Sequence, residues 1–342
     1  MTAPARLLLD ADALVANWRA LARLGGGAAC GAAVKADGYG LGAQGVVTRL
    51  AAAGCRDVFV ATWAEAEALA DLEVPVSVLH GVRADDLATA RALSHARPVL
   101  NTAEQIRRWR EAGGGACDVM VDTGMNRLGV SAEDVAAGLL DGLAIETLMS
   151  HLACADEPSA MNAAQRDRLA ALAGRTTARR LSLANSAGVA LGEGYAFDLT
   201  RPGLALYGGV PSPALADVVR PVATIEAEVL QRRLVPAGET VGYNATWTAP
   251  ADTWVGIVNL GYADGYWRGF SDRGRAFAGD RELPVIGRVS MDLVALDLRN
   301  ASVGEGDRVR FDPDLPRAAA ASGMSQYELL TGLGRRFERV WG

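Results

Sequence analysis

The sequence predicts an α/β fold, a (β/α)8 barrel followed by a mostly β C-terminal domain. Over about the first 210 residues, short apolar segments alternate with longer segments rich in Ala, Leu, Glu and Arg, which is the pattern of parallel βα units. The alternation contains eight strand-like segments, the number that closes a barrel. From Val222 onward, β-rich segments separated by Gly and Pro turns replace it. An open, doubly wound sheet is the alternative for the N-terminal part, since only the strand count separates the two.

The individual elements follow from apolar runs and helix caps. Thr62 stands three residues before Glu65, which is the spacing of a capping box, and Thr102 has the same spacing to Gln105. Ser131 is a further N-cap. The predicted strands are 30–35, 57–61, 76–79, 98–100, 118–122, 145–151, 181–184 and 197–200, and the predicted helices are 12–24, 42–53, 62–71, 85–94, 102–111, one that begins at 131, and 159–173.

A change of pattern after Tyr207 indicates two domains, as does the length of 342 residues. The stretch GGVPSP at 208–213 is typical of a linker, and long helical patterns are absent beyond it except near 315–336. We expect residues 11–212 to form the barrel. Residues 213–342, together with 1–10, are expected to form the β domain.

Composition and charge exclude several classes of function. Lys and Arg number 34 against 40 Asp and Glu, a net charge of −6, which argues against a nucleic-acid-binding protein. No apolar run reaches the roughly 18 residues of a membrane helix, and Met1–Asp10 lacks the pattern of a signal peptide. The four cysteines are scattered without paired spacing, so we expect reduced thiols, no metal site and a cytoplasmic protein.

Functional side chains of a barrel gather at the C-terminal ends of its strands. Lys35 ends the first predicted strand, in CGAAVKADGYG. Such a lysine either extends to water or sits in a pocket. In a pocket, desolvation lowers its pKa, and its neutral amine can form a Schiff base with a carbonyl. The following glycines and Tyr39 favour the pocket, because glycine lets a backbone approach an anion and a tyrosine hydroxyl donates to one.

Four further strand ends, or the loops that follow them, carry candidate functional residues. Ser186 follows the seventh strand in LANSAG and Gly203 follows the eighth in TRPGLALYG, and the loops after these strands are the usual phosphate site of a barrel. A Schiff-base lysine beside a phosphate site indicates pyridoxal phosphate. Arg127 follows the fifth strand, His151 ends the sixth, and Arg201 follows the eighth. Taken singly, these residues also fit a helix cap, a surface arginine or a core histidine.

Eight sequence blocks together resemble the bacterial alanine racemases. AVKADGYGLG is similar to the pyridoxal-phosphate lysine motif of that family, and VDTGMNRLG, SHLACADE, LANSAG and RPGLALYGG resemble four further blocks in the same order. The second domain adds VGYNATW, LGYADGYWR and PVIGRVSMD. The resemblance runs from Ala5 to the C-terminus. It implies the barrel-plus-β fold, pyridoxal 5'-phosphate as cofactor, and an isomerase that supplies D-alanine for the cell wall.

The resemblance also implies a role for each site residue. Lys35 looks like the lysine that binds the cofactor and acts as one of two catalytic bases. Tyr243 looks like the opposing base, supplied by the partner subunit of a head-to-tail homodimer. The cofactor phosphate would be held by Tyr39, Ser186, Gly203 and Tyr327, and its pyridine nitrogen would face Arg201. The substrate carboxylate would be bound by Arg127 and the N–H of Met291, and His151 would support Tyr243. The entrance to the site would be lined by Tyr262, Tyr327, Arg268 and Arg288.

The chemistry of racemisation fits these roles. A proton leaves one face of Cα and another returns on the opposite face, so two bases of different type on opposite faces provide the reaction directly. A free Tyr has a pKa of about 10, and His151 with nearby positive charge would favour its phenolate. An arginine at the pyridine nitrogen keeps that nitrogen unprotonated, because two positive charges in contact repel. The cofactor is then a weaker electron sink, which suppresses transamination.

Two positions depart from the family pattern. Many members carry a carbamylated lysine two residues before the Asp of DTGM, where Met120 stands in this chain. A buried Arg127 would then need a chloride or a carboxylate as its partner. Many members also have a His four residues before the Ser of ANSA, where Ser182 stands. The shorter serine is expected to need a water to reach Arg201.

Three other functions are alternatives to an alanine racemase. A broad-specificity or serine racemase of the same fold would differ only in the side chains around the substrate. A fold-related decarboxylase of basic amino acids is disfavoured, because no Gly-Gly-Gly phosphate loop follows a long central block. Those decarboxylases also have a cysteine in the C-terminal domain, whereas all four cysteines of this chain lie before residue 155. A non-catalytic barrel that binds pyridoxal phosphate would lack the β domain, and therefore Tyr243.

Overall fold

The computed structural model describes residues 5–342 and divides them into two compact units. The barrel unit consists of Leu14–Leu206 and Pro211–Val219. The β unit consists of Tyr207–Val210 and Arg220–Gly342, with the described N-terminal residues through Ala13. The domain division inferred from the sequence stays a prediction, and its residues 1–4 lie outside the described part of the chain.

The barrel unit is a closed ring of parallel strands. Seven strands pair with their neighbours in chain order. The eighth pairs with the first, Thr200 opposite Cys30, and on its other side Arg201 N donates to Ala184 O at 2.8 Å. The (β/α)8 prediction is confirmed, and the open-sheet alternative is excluded. The barrel strands are Ala29–Cys30 continuing as Ala32–Ala33, Val58–Val60, Val76–Val78, Ala96–Leu100, Cys117–Met120, Ile145–Met149, Arg180–Ser182 and Leu199–Thr200.

Helices alternate with these strands, and the caps expected from the sequence form. Thr62 Oγ1 accepts from Glu65 N at 3.3 Å while Thr62 N donates to the Glu65 carboxylate at 3.2 Å. Ser131 and Asp134 make the same reciprocal pair. The helices of this part of the chain are Ala11–Leu24, Ala43–Ala53, Trp63–Glu67, Leu87–Ala92, Ala103–Glu111, Ala132–Ala136, Ala160–Ala170 and Ser186–Ala190, and a left-handed turn occupies Lys35–Tyr39.

Several elements are shorter than the sequence predicts. The first strand ends at Ala33 and the sixth at Met149, because the chain leaves the ladder there to form the loops of the barrel mouth. The predicted helix 62–71 ends at Glu67, and only a 3-10 turn, Ala70–Leu72, follows. Glu73 ends that turn with a left-handed φ of 50° and redirects the chain into the next strand.

A charged network, which no local sequence pattern indicates, fills part of the barrel interior. Asp118 is completely buried and accepts from Arg97 Nε at 2.9 Å and Ser77 Oγ at 2.5 Å. Arg180 forks onto Asp57 at 2.6 and 3.0 Å. Burying such charges is tolerable only because each has a hydrogen-bonded partner of opposite sign. The network therefore links strands that are not neighbours in the ring.

The β unit contains one long sheet that turns back on itself. Its 13-residue strand Ala223–Val235 has a bulge between Val229 and Gln231. Its residues 223–227 pair with Ala5–Leu9, and its residues 229–235 pair with Thr253–Val258 on both sides of the bulge, which closes the sheet into a barrel. The remaining strands are Thr240–Val241, Trp247–Thr248, Arg275–Ala278, Arg281–Ile286, Val294–Asp297, Arg308–Phe311 and Glu338–Trp341, and the helices are Leu315–Ser322 and Gln326–Thr331.

The mostly β character expected of this half of the chain is confirmed, and its two helices fall within the predicted segment near 315–336. Across residues 5–342, no helix combines the length and the apolar composition that crossing a membrane requires.

Candidate active site

Lys35 follows the first barrel strand at the mouth of the barrel, and it is the only lysine in the chain. Its side chain is exposed, yet enough protein surrounds the ammonium group for burial to lower its pKa. The charges of Arg127 and Arg201 lower that pKa further, whereas the carboxylate of Glu65 raises it. Neutral amine is therefore more abundant here than on an ordinary surface lysine, as a nucleophile or base requires.

The residues after Lys35 form a left-handed turn. Ala36, Asp37, Gly38 and Tyr39 have φ values of 54°, 52°, 63° and 54°. Three of these are not glycine, so the conformation is disfavoured by about 1–2 kcal/mol for each of the three and must be held by its surroundings. The turn brings Tyr39 back into the protein, where it is buried.

Tyr39, Ser186 and Gly203 come together, as the sequence predicts for a phosphate site. A Cβ on Gly203 would lie 2.2 Å from Tyr39 Oη, so only glycine fits under this hydroxyl. Ser186 Oγ accepts from Gly203 N at 2.9 Å and from Ala205 N at 3.1 Å. Asn185 caps the short helix that begins at Ser186, because its Oδ1 accepts a hydrogen bond from Gly188 N at 2.8 Å.

Arg201 is buried behind the barrel mouth and has only neutral hydrogen-bond acceptors. One terminal nitrogen donates to Ser150 O at 2.6 Å and the other donates directly to Ser182 Oγ, which in turn donates to Leu199 O at 2.5 Å. The expected water between Ser182 and Arg201 is therefore not needed. Burial lowers the pKa of Arg201 to about 10, opposed by the charge of Asp118, so the guanidinium stays charged at neutral pH.

His151 follows the sixth strand and carries no charge at neutral pH. Burial lowers its pKa to about 3, and the positive charges of Arg201, Arg127 and Lys35 act in the same direction. Its backbone oxygen accepts from Gln165 Nε2 at 2.8 Å, which fixes the end of the strand. The charges of Arg201, Arg127 and Lys35 thus all act on His151, and the joint role predicted for these four residues stays a prediction.

Arg127 lies in an ordered loop between Val121 and Val130. Asp122 Oδ1 accepts from Gly124 N at 2.7 Å and from Asn126 N at 3.2 Å, which holds the loop in shape. Arg127 itself is exposed, and among residues 5–342 it has no ion-pair partner. The expectation of a buried guanidinium that needs an anion is therefore wrong for this chain by itself, because water reaches Arg127. Met120 is buried beside the same loop.

The remaining predicted residues belong to the β unit, and most of them lie at its surface. Tyr243 is 68% exposed and Met291 is 54% exposed. Tyr243 follows Gly242, and a Cβ at Gly242 would lie 3.6 Å from Arg288 N, so the chain before Tyr243 runs close to the backbone of Arg288. The Arg268 guanidinium stacks over the Tyr262 ring at 5.1 Å, and Tyr327 is 45% exposed on the helix Gln326–Thr331.

The residues at the barrel mouth fit an anionic, aldehyde-bearing cofactor. Lys35, Arg127 and Arg201 provide positive charge, and the place under the Tyr39 hydroxyl is open only because residue 203 is glycine. The donor set contains no cluster of His, Cys, Asp or Glu suited to a metal ion among the described residues. The sequence predicts Glu65 only as part of a capping box, and its electrostatic effect on Lys35 is not predicted.

Comparison with known proteins gives a consistent result over the whole chain. The family model "Alanine racemase, N-terminal domain" matches residues 9–211, and "Alanine racemase, C-terminal domain" matches residues 222–341. The chain is 44% identical to an alanine racemase of Acidiphilium cryptum over 350 residues, covering 98% of each protein.

Solved structures agree with the sequence comparisons. Alanine racemase from Bartonella henselae, with covalently bound pyridoxal phosphate, has a TM-score of 0.90 and 31% identity, with 99% of this chain and 100% of that chain covered. The biosynthetic alanine racemase of Pseudomonas aeruginosa has a TM-score of 0.90 and 32% identity, with both chains covered completely, 100% each. This chain belongs to the alanine racemase family, whose members depend on pyridoxal phosphate.

Proposed function

We propose that this protein is an alanine racemase that interconverts L- and D-alanine with pyridoxal 5'-phosphate, supplying D-alanine for peptidoglycan. The observation that carries the proposal is the position of its only lysine, at the barrel mouth among Arg127, His151 and Arg201. Family membership along the full chain supports the same reaction.

In this proposal each part of the cofactor has a candidate contact. Lys35 would hold the cofactor covalently, and Tyr39, Ser186, Gly203 and Tyr327 would bind its phosphate. When bound, pyridoxal phosphate withdraws electrons from the amino acid and so acidifies its α-proton. Arg201 would face the pyridine nitrogen. A pKa of about 10 means that Arg201 keeps its own proton at neutral pH and repels a second one from that nitrogen.

Two bases move the α-proton in this proposal. Lys35, whose pKa burial lowers, takes or returns the proton on the face that D-alanine presents. Tyr243 serves the opposite face, that of L-alanine, and is contributed by the partner subunit of a homodimer. Its 68% exposure in a single chain supports a role that is completed only by a second copy. The neutral His151 can donate its ring N–H to the phenolate oxygen of the tyrosine and so favour the ionised form.

The substrate is held through its carboxylate. The exposed fork of Arg127 suits bidentate binding of a carboxylate, and the N–H of Met291 would be a second donor. Tyr262, Tyr327, Arg268 and Arg288 would line a narrow entrance that admits small amino acids. A small substrate such as alanine is the one that this arrangement favours over lysine or arginine.

The test is a direct assay of substrate choice. Purified protein loaded with pyridoxal phosphate is incubated separately with L-alanine, L-serine and L-lysine, and the enantiomers are separated on a chiral column. We expect D-alanine to form fastest. Faster racemisation of serine would favour the serine-racemase alternative, and carbon dioxide release from lysine without D-lysine would favour the decarboxylase.

A further inference from the structure

The backbone that follows Lys35 is held in an unfavourable conformation. Positive φ values run from Ala36 through Gly40, and L-residues avoid that region because Cβ approaches the following carbonyl oxygen. A turn of this kind persists only where neighbouring groups stabilise it. The direction of the Lys35 side chain therefore depends on whatever holds the next residue, Ala36.

Glu65 is the side chain that holds Ala36. Its Oε1 accepts from Ala36 N at 2.7 Å, and its Oε2 accepts from Ala61 N at 2.6 Å and from Thr62 N at 3.2 Å. Both carboxylate oxygens are thus engaged with backbone donors from the loops after the first and second barrel strands. The far end of the turn is held separately, by Asp37 Oδ1, which accepts from Ala43 N at 2.8 Å.

Glu65 also differs in charge from the other groups that act on Lys35. Arg127 and Arg201 are positive, and His151 on the same side is neutral at neutral pH. Glu65 is the anionic neighbour, and it opposes their effect on the pKa of Lys35. Because Glu65 binds backbone N–H groups rather than the ammonium itself, it supplies this charge without occupying the amine that the reaction needs.

We propose that Glu65 is a positioning residue for Lys35, which ties Ala36 to the second barrel loop and supplies the negative charge that balances the arginines around the amine. The proposal rests on the role of Lys35 in the proposed function. Its charge effect, however, is measurable on the lysine without any turnover. If Glu65 only capped its helix, its replacement would affect Lys35 no more than replacement of Asp134 does. Asp134 forms the same reciprocal cap with Ser131 on the helix Ala132–Ala136.

The first experiment measures the pKa of Lys35 directly. Full-length protein freed of cofactor is labelled with trace acetic anhydride over a range of pH, and the modified peptide is quantified by mass spectrometry. Because Lys35 is the only lysine, the α-amino terminus is the only other amine that is acetylated, and peptide mapping separates both from acylated tyrosine and cysteine. Glu65→Gln should move the labelling midpoint to lower pH by about half to one pH unit. Asp134→Asn is the matched control and should leave it unchanged.

The second experiment separates the charge of Glu65 from its hydrogen bonds. In a Tyr243→Phe background, Lys35 is the remaining base, and its action is followed as loss of the α-proton of D-alanine in D2O by NMR. Glu65→Asp keeps the charge but shortens the reach to Ala36. We expect Glu65→Asp to lower the exchange rate reached at high pH about tenfold, because the Lys35 amine is less well aligned with the α-proton. The labelling midpoint of Lys35 should stay near that of the Tyr243→Phe protein.

Clear results would overturn the proposal. An unshifted midpoint in Glu65→Gln refutes the charge role, and an exchange rate in Glu65→Asp equal to that of the parent refutes the clamp. If Glu65→Gln does not fold, Glu65→Asp still tests the clamp. If the wild-type protein fails to racemise alanine while Glu65→Gln still shifts the labelling midpoint, the proposed function is refuted and the effect of Glu65 on Lys35 stands.

Discussion

Lys35 is distinguished from every other basic side chain of this protein by its chemistry. All the other cationic side chains among the 34 Lys and Arg are arginines. A guanidinium keeps its proton at neutral pH and does not condense with an aldehyde, whereas a partly desolvated lysine amine does. The amines able to condense with an aldehyde are therefore Lys35 and the α-amino terminus.

The small number of such amines makes the cofactor assignment simple to test. Sodium borohydride added to the protein loaded with pyridoxal phosphate should fix the cofactor irreversibly on Lys35. Peptide mass spectrometry after reduction locates it, and Lys35→Ala provides the control without a site. Labelling only at the amino terminus, or no labelling, would refute the assignment.

Gly203 is a second position where one residue decides the site. A Cβ there would lie 2.2 Å from Tyr39 Oη and 2.8 Å from Tyr39 Cζ, so Gly203→Ala must displace the ring. We expect a destabilisation of about 1–3 kcal/mol, typical of overpacking, and faster loss of cofactor on dialysis. Thermal melting and absorbance after dialysis measure these effects.

Gly194→Ala is the matched control for that substitution. Nothing lies within 4 Å of a Cβ at Gly194, and its backbone is not in the left-handed region, so the change should have little effect. If the two variants behave alike, the contact between Tyr39 and Gly203 does not constrain the site.

At the scale of elements, the barrel is organised by contacts between strands that are far apart in sequence. Ser77, Arg97 and Asp118 come from the third, fourth and fifth strands, and Arg180 from the seventh reaches Asp57 just before the second. These bonds cross the interior beneath the loops that carry the site. They give the short strands, some only two or three residues long, a fixed mutual position.

Asp118→Ala tests the contribution of that network. It leaves the half-buried Arg97 without its closest carboxylate. Breaking a fully buried pair costs about 3–5 kcal/mol, so we expect a cost toward the lower end of that range. Urea unfolding should therefore begin at clearly lower denaturant than in the wild type. Asp134→Ala, which removes an exposed cap, should cost only about 0.5–2 kcal/mol. Equal shifts in the two variants would show that the interior pair does not stabilise the barrel.

At the scale of the whole molecule, the proposed active site needs two chains. Tyr243 and Met291 are large side chains left 68% and 54% exposed in one chain. In the proposed head-to-tail dimer, Tyr243 of one protomer would serve Lys35 of its partner. This arrangement makes activity a property of the pair of subunits.

Mixed dimers test the arrangement. Lys35→Ala and Tyr243→Phe should each be nearly inactive alone, since loss of a general base costs about 10²–10⁴-fold. A dimer with one chain of each type has one site with both bases and one site with neither. Co-refolding should therefore restore roughly half of the wild-type activity per mixed dimer, by the site count of the shared arrangement. Mixed dimers that form and remain inactive would show that the two residues do not share a site.

The two-base mechanism predicts a further asymmetry. Tyr243→Phe should still exchange the α-proton of D-alanine with solvent deuterium through Lys35, but not that of L-alanine, because the base on that face is missing. NMR of each enantiomer in D2O measures both rates, with Lys35→Ala as the inactive control. Equal exchange of the two enantiomers would contradict the assignment of the bases.

Features that depend on neighbouring residues could be predicted from the amino-acid sequence. Apolar periodicity identified eight strands and the change to β structure after Tyr207, and the capping pairs Thr62–Glu65 and Ser131–Asp134 formed as their spacing predicted. Motif blocks identified the family, because catalytic chemistry constrains short contiguous segments such as the one around Lys35. The strand ends were less accurate, because pairing partners rather than local composition decide where a ladder stops.

Contacts between distant segments could not be predicted in this way, because they depend on how the chain folds back on itself. Glu65 was recognisable as a cap, but its bond to Ala36 joins two different barrel loops. Ser182 reaches Arg201 without a water because adjacent strands bring the two together, and Arg127 proved to be exposed. Neither distance nor solvent exposure is encoded in local spacing. Both follow from how the closed ring of strands places their ends, and that placement determines the surroundings of Lys35.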